Sequence, residues 1–75
     1  MNRIEKIDKL KWLFSYCHLS PLSYQDRRTM KNIVYLLQTK YPEEFKFEYV
    51  FTLNTIGVFS KELMEDINVV KEMML

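Results

Sequence analysis

One glycine and two prolines in 75 residues leave this chain little with which to build irregular loops. Glycine supplies backbone conformations closed to other residues, and proline interrupts helices and ladders. A chain holding only Gly57, Pro21 and Pro42 for these purposes is driven into regular structure, broken at a few definite points. The rest of the composition agrees. At 48% hydrophobic and 15% aromatic, the sequence is too apolar for disorder. Its length suits one domain, 1–75, whose core is marginal unless it is rich or the chain associates. No apolar run approaches the roughly 18 residues of a membrane span. The basic residues near the N-terminus are interrupted by Glu5 and Asp8, and no apolar segment of a secretory signal follows. The expectation is a cytoplasmic, globular protein.

Between the breaks, the apolar residues keep time. Ile4, Ile7, Leu10, Leu13, Phe14 and Cys17 fall on one side of a helix over 3–18. Trp12 and Tyr16 lie off that stripe, four residues apart and so adjacent to each other. They are either buried on a second side or an exposed aromatic pair. Pro21 keeps Ser20 out of the helical region, and Ser23 opens a capped second helix reaching about Lys40. Met30, Ile33, Val34, Leu37 and Tyr41 form its inner face, and Pro42 ends it. Over 45–53 the period changes to two: Phe45, Phe47, Tyr49, Phe51 and Leu53 alternate with other residues, as in a strand with one buried face. Asn54–Gly57 is turn chemistry, and Ile56–Phe59 can close a hairpin. Ser60 caps a last helix with Leu63, Ile67, Val70 and Met74 inward. The predicted fold is α+β, mainly helical: three helices with a short β-hairpin, winged-helix-like. A lone apolar strand needs a mate, from within the chain or from a second copy, so a homodimer is expected.

The net charge of +1 conceals a division. Residues 1–40 hold eight basic and three acidic side chains, whereas residues 41–75 hold three basic and seven acidic. Such polarity fits a nucleic-acid face, an acidic partner face or self-association. It equally fits two halves that neutralise each other inside one fold.

Two stretches resemble a known family. Arg28-Thr29-Met30-Lys31-Asn32-Ile33-Val34-Tyr35-Leu36-Leu37-Gln38 is similar to the helix signature R-x-L-Q-K-L-V-Y-L-L-Q of a bacterial and phage family. Ile56-Gly57-Val58-Phe59-Ser60-Lys61-Glu62-Leu63 resembles that family's downstream Y-G-P-Y-S-x-E-L, which joins a strand to a helix. The family comprises YwgA-like proteins and, more distantly, the phage-associated GepA-type domain of Panacea antitoxins. The resemblance spans roughly residues 4–70. The sequence departs from it at Lys31-Asn32, Ile56 and Val58, and keeps Gly57, Phe59, Ser60, Glu62 and Leu63. These are structural positions. The resemblance implies antitoxin or adaptor work through protein contacts, in a shortened, mobile-element form, with no catalytic residue to carry over.

The remaining residues offer little catalytic chemistry. Cys17 is the sole cysteine and His18 the sole histidine. Adjacent helix residues point about 100° apart, so a core cysteine beside a helix-end histidine is the simpler reading. Glu43-Glu44, Glu62 and Glu65-Asp66 have no accompanying base or metal cluster and read as solvated. No enzyme activity, cofactor or metal is expected. For a protein partner, the candidate surface is Trp12 and Tyr16 rimmed by Lys9 and Glu5, because aromatic anchors dominate interface energetics. The alternative is burial of Trp12 against the last helix. The alternative function is a helix-turn-helix regulator reading DNA with Arg27, Arg28, Lys31, Asn32 and Tyr35. A nearly neutral chain weighs against it. The first expectation is therefore a small non-enzymatic regulator, phage or mobile-element encoded, which inhibits or neutralises a host or toxin protein by binding it.

Overall fold

A computed structural model, describing residues 1–75, shows an α+β, mainly helical architecture. The order is α1 (Arg3–Tyr16), α2 (Tyr24–Lys40), β1 (Thr52–Asn54), β2 (Gly57–Phe59) and α3 (Lys61–Met73). The strands form one antiparallel hairpin, with Thr52 opposite Phe59 and Asn54 opposite Gly57. Each helix starts on a side-chain cap. Asn2 accepts from the Glu5 amide, Ser23 from Asp26 and Ser60 from Leu63. Both predicted serine caps are present, and each satisfies a backbone donor that the first helical turn leaves unpaired.

α1 stops two residues earlier than the periodicity suggests. His18 takes a positive φ of 56°, the left-handed position at which glycine is usual. The Leu19 amide then donates to Phe14 and the His18 amide to Ser15, closing the helix end while Leu19 folds back onto the core. The loop to α2 is stitched to that helix. The Ser20 amide donates to Asp26 Oδ2 at 2.8 Å, and Arg27 Nη1 donates to the Pro21 carbonyl at 2.9 Å.

The core gathers Leu10, Leu13 and Phe14 from α1, Met30 and Val34 from α2, Phe47 and Tyr49 from the segment before the hairpin, and Leu63, Ile67 and Val70 from α3. The predicted stripes are therefore right at their centres and wrong at their ends. Ile4, Tyr41 and Met74 are exposed and Cys17 is half-buried, because the helices splay past the edge of so small a core.

The strand predicted over 45–53 is corrected. Only Thr52–Asn54 enters a ladder; residues 45–51 form an unpaired arm. Its alternation sorts sides only as far as Phe51, with Phe47 and Tyr49 buried and Phe45 and Phe51 half-buried, whereas Leu53, predicted on the same buried face, is exposed beyond the core's edge. Phe45, Phe47 and Tyr49 stack in succession, with centroids 6.2 and 5.6 Å apart. Two things keep the arm out of a sheet. Glu48 has φ 58°, which kinks it, and the neighbouring backbone position is occupied by a side chain. The Gln38 amide donates to the Tyr49 carbonyl at 2.8 Å and accepts from the Tyr49 amide at 3.1 Å. Gln38 thus stands in for one residue of an absent partner strand.

Candidate functional site

On α1, four-residue spacing brings Trp12 and Tyr16 into a stack, with ring centroids 5.0 Å apart and planes 21° from parallel. The pair faces outward: Trp12 is 51% exposed and Tyr16 69%. Burial of Trp12 against the last helix, the alternative left open by the sequence, does not occur. α3 takes the opposite side of α1, where Leu10, Leu13 and Phe14 lie.

Lys9 anchors this surface. Its ammonium lies 5.5 Å from the Trp12 ring and 5.8 Å from that of Phe45, so a cation bridges α1 to the start of the arm. Beside it, Glu5, Asp8, Lys9 and Trp12 line a hollow of about 340 Å³. Neither Glu5 nor Asp8 takes part in an ion pair within the chain. The site is therefore a stacked aromatic step flanked by two carboxylates outside any ion pair.

The residues of the DNA-reading alternative are dispersed in role. Arg27 is half-buried, bonded to Pro21, and lies 5.9 Å from the Tyr24 ring. Tyr35 is half-buried and packs edge-on against Phe51 at 5.1 Å. Arg28 and Asn32 are exposed and Lys31 is partly so. Two of the five, Arg27 and Tyr35, are thus drawn into packing.

Sequence reasoning missed a polar cluster between α1, the arm and α3. Asp66, read as solvated, is only 1% exposed. Oδ1 accepts from Arg3 Nε at 2.9 Å and Oδ2 from the Tyr49 hydroxyl at 2.7 Å. Lys6, also buried, donates to Glu62 Oε1 at 2.8 Å and sits 4.7 Å from the Tyr49 ring. Burial of the Tyr49 phenol, its bond to Asp66 and the nearby carboxylate charges push its ionisation far above the usual value of 10.0, with Arg3 opposing. The signal was present in the spacing: Asp66 falls on the Leu63–Ile67–Val70 stripe, and Lys6 stands one turn before Leu10. A charged residue inside an apolar stripe is buried with a partner. Both ion pairs join the basic half of the chain to the acidic half, so part of the charge division is neutralised internally.

Cys17 is free and half-buried, and His18 is exposed. Glu43 and Glu44 are exposed beyond Pro42. Nowhere do three His, Cys, Asp or Glu side chains converge as metal ligands, and no helix is long and apolar enough to cross a membrane. No protein-family model matches the chain, and no curated protein or solved structure shows significant similarity to it.

Proposed function

We propose that the chain is a small, non-enzymatic regulatory protein that acts by occupying another protein, in the manner of an antitoxin or inhibitor. The observation that carries this reading is the stacked, outward-facing Trp12–Tyr16 pair. Large aromatics at a surface are what interfaces use as anchors, and the fold has no need of this pair outside its core. The adjoining carboxylates give the partner a chemistry. It offers an apolar recess for the rings and, beside it, a lysine or arginine for Glu5 and Asp8. The resemblance of 28–38 and 56–63 to phage-associated antitoxin domains supports the same reading, with a toxin or host protein as target. A cytoplasmic site of action belongs to the proposal, since one unpaired cysteine suits a reducing compartment.

Affinity capture from the native host's lysate with wild-type chain and with Trp12→Ala tests this. The wild type retains a stoichiometric partner. Trp12→Ala loses it while its melting temperature stays close to wild type, the stability change being within about 1 kcal/mol for a half-exposed side chain. Equal capture by both proteins removes Trp12 from the interface.

A second reading, DNA-binding regulation, has one observation in its favour. Arg28 and Asn32 are exposed one turn apart on α2, beside Lys31, and no carboxylate pairs with either cation. In that case the hairpin serves as a wing, and binding to duplex DNA falls steeply with salt as counterions are released. Replacing Arg28 and Lys31 with alanine then abolishes binding, whereas Trp12→Ala leaves it intact.

A further inference from the structure

The hairpin carries apolar side chains that its own fold does not use. Its turn is completed without them: Asn54 Oδ1 accepts from the Ile56 amide at 3.0 Å, and Gly57 supplies φ 124°, which disfavours any side chain. Yet the tip residue is Ile56, a β-branched side chain left 87% exposed, with Val50 exposed beside Phe59 and Leu53 exposed on the other face of the ladder. A two-stranded hairpin also leaves both outer edges without a pairing strand.

Charge is arranged around this apolar centre with opposite signs. Of the three hollows that share Phe59, two differ most in charge. One, of about 400 Å³, is walled by Tyr24, Arg28, Lys31, Ile56 and Met64. The other, of about 540 Å³, is walled by Val50, Thr52, Lys61, Glu62 and Glu65. The ion pairs within the chain are Arg3–Asp66 and Lys6–Glu62, so Arg28, Lys31 and Glu65 are free to pair elsewhere. A polyanion laid across Phe59 would gain Arg28 and Lys31 and then meet Glu65, beside Lys61 and a Glu62 already held by Lys6. An anionic bilayer would meet the same repulsion. The unpaired Glu65 on one side of the apolar ridge and the unpaired Arg28 and Lys31 on the other make the surface complementary to itself at those three residues. A two-fold axis near Phe59 sets the cationic hollow of one copy against the acidic hollow of the next, and does so twice.

We propose that the hairpin face, centred on Ile56 and Phe59, is the interface of a homodimer in which Arg28 and Lys31 of each copy pair with Glu65 of the other. This interface lies apart from Trp12 and stands independently of the function proposed above.

Sedimentation equilibrium of the full chain at low salt reads it directly. The wild type and Trp12→Ala show concentration-dependent doubling of mass. Ile56→Lys is monomeric, with unchanged helical circular dichroism and, at concentrations low enough for the wild type also to be monomeric, unchanged melting, since the side chain it replaces touches solvent. Arg28→Glu and Glu65→Arg each weaken self-association by about tenfold or more, because like charges then face each other twice. An equimolar mixture of the two restores the dimer, as each mismatch in one variant is answered by the other. A wild type that remains monomeric at every concentration overturns the proposal. So does a dimer that survives Ile56→Lys, or a mixture of charge variants that associates no better than either alone.

Discussion

Two adjoining regions of this small molecule invert the usual rule of burial. Between α1 and α3, charged and polar groups lie inside, with Asp66, Lys6 and the Tyr49 hydroxyl withdrawn from water. At the hairpin, Val50, Leu53 and Ile56 lie outside. The first arrangement is self-sufficient, because every buried side-chain nitrogen and oxygen has a hydrogen-bond partner. The second is closed at its turn but unfinished at its edges and its surface. The contrast separates what holds the fold from what is left over for contact, and it implies that substitutions in the two regions have opposite kinds of consequence.

The largest effect tests that division. Asp66→Ala leaves a buried phenol hydroxyl without an acceptor and frees Arg3 from its only ion pair. An unsatisfied buried group and the lost pairing together cost roughly 2–3 kcal/mol, read by urea denaturation as a lower midpoint. Ile56→Lys, in the other region, changes stability by no more than about 0.5 kcal/mol at concentrations where the wild type is monomeric. Similar losses from both would erase the distinction between scaffold and surface.

Next in size is Gln38→Ala. Its amide makes both backbone bonds of Tyr49, and their removal strands a donor and an acceptor beside the core, at a cost of roughly 1–2 kcal/mol. Hydrogen exchange at the Tyr49 amide accelerates selectively, and exchange in the hairpin does not. If protection at Tyr49 persists, the arm is held by its stacked rings and the glutamine is incidental.

Tyr49 then gives the polar region a signature in pH. Its phenol ionises far more readily in the unfolded chain, near 10.0, than in the fold. The native state therefore keeps a proton that the unfolded state releases. The stabilisation is fully present below about pH 10 and is lost as pH rises beyond it, by about 1.4 kcal/mol per pH unit. The difference between wild type and Tyr49→Phe isolates this from other alkaline titrations. Parallel stability curves above pH 10 would mean that the phenol is not shielded.

Much of this contrast was written in the sequence, though unevenly. Ser23 and Ser60 marked helix starts because capping is local chemistry, decided within four residues. Trp12 and Tyr16 could be placed beside each other by spacing alone, but whether they faced solvent depended on which side of α1 received α3. That is a tertiary fact. The alternation over 45–53 correctly assigned Phe47 and Tyr49 to the inside, yet periodicity reports sides and not hydrogen-bond partners. Nothing local announced that Gln38, eleven residues from Tyr49, would take the place of a strand. Asp66 reads as solvated when it is grouped with Glu62 and Glu65, which are indeed exposed. Its place on the Leu63–Ile67–Val70 stripe was the better guide.

The smallest predicted effect concerns Arg3, and it asks how deep the polar region really is. Arg3 Nε touches Asp66 Oδ1 at 2.9 Å, but the arginine side chain is 61% exposed while the aspartate is 1% exposed. The guanidinium therefore covers the carboxylate from the solvent side. If Arg3 is truncated to alanine, the covering group leaves and water reaches Oδ1 in its place, so the carboxylate is rehydrated on that side. The loss should be less than about 1 kcal/mol and should shrink further in high salt, where the pair is already screened. Urea denaturation of Arg3→Ala at low and high ionic strength measures both. A salt-independent loss as large as that of Asp66→Ala would show that water cannot replace the arginine. The pair would then have to be counted as buried, and the boundary between the closed region of the molecule and its open surface would move outward past the first turn of α1.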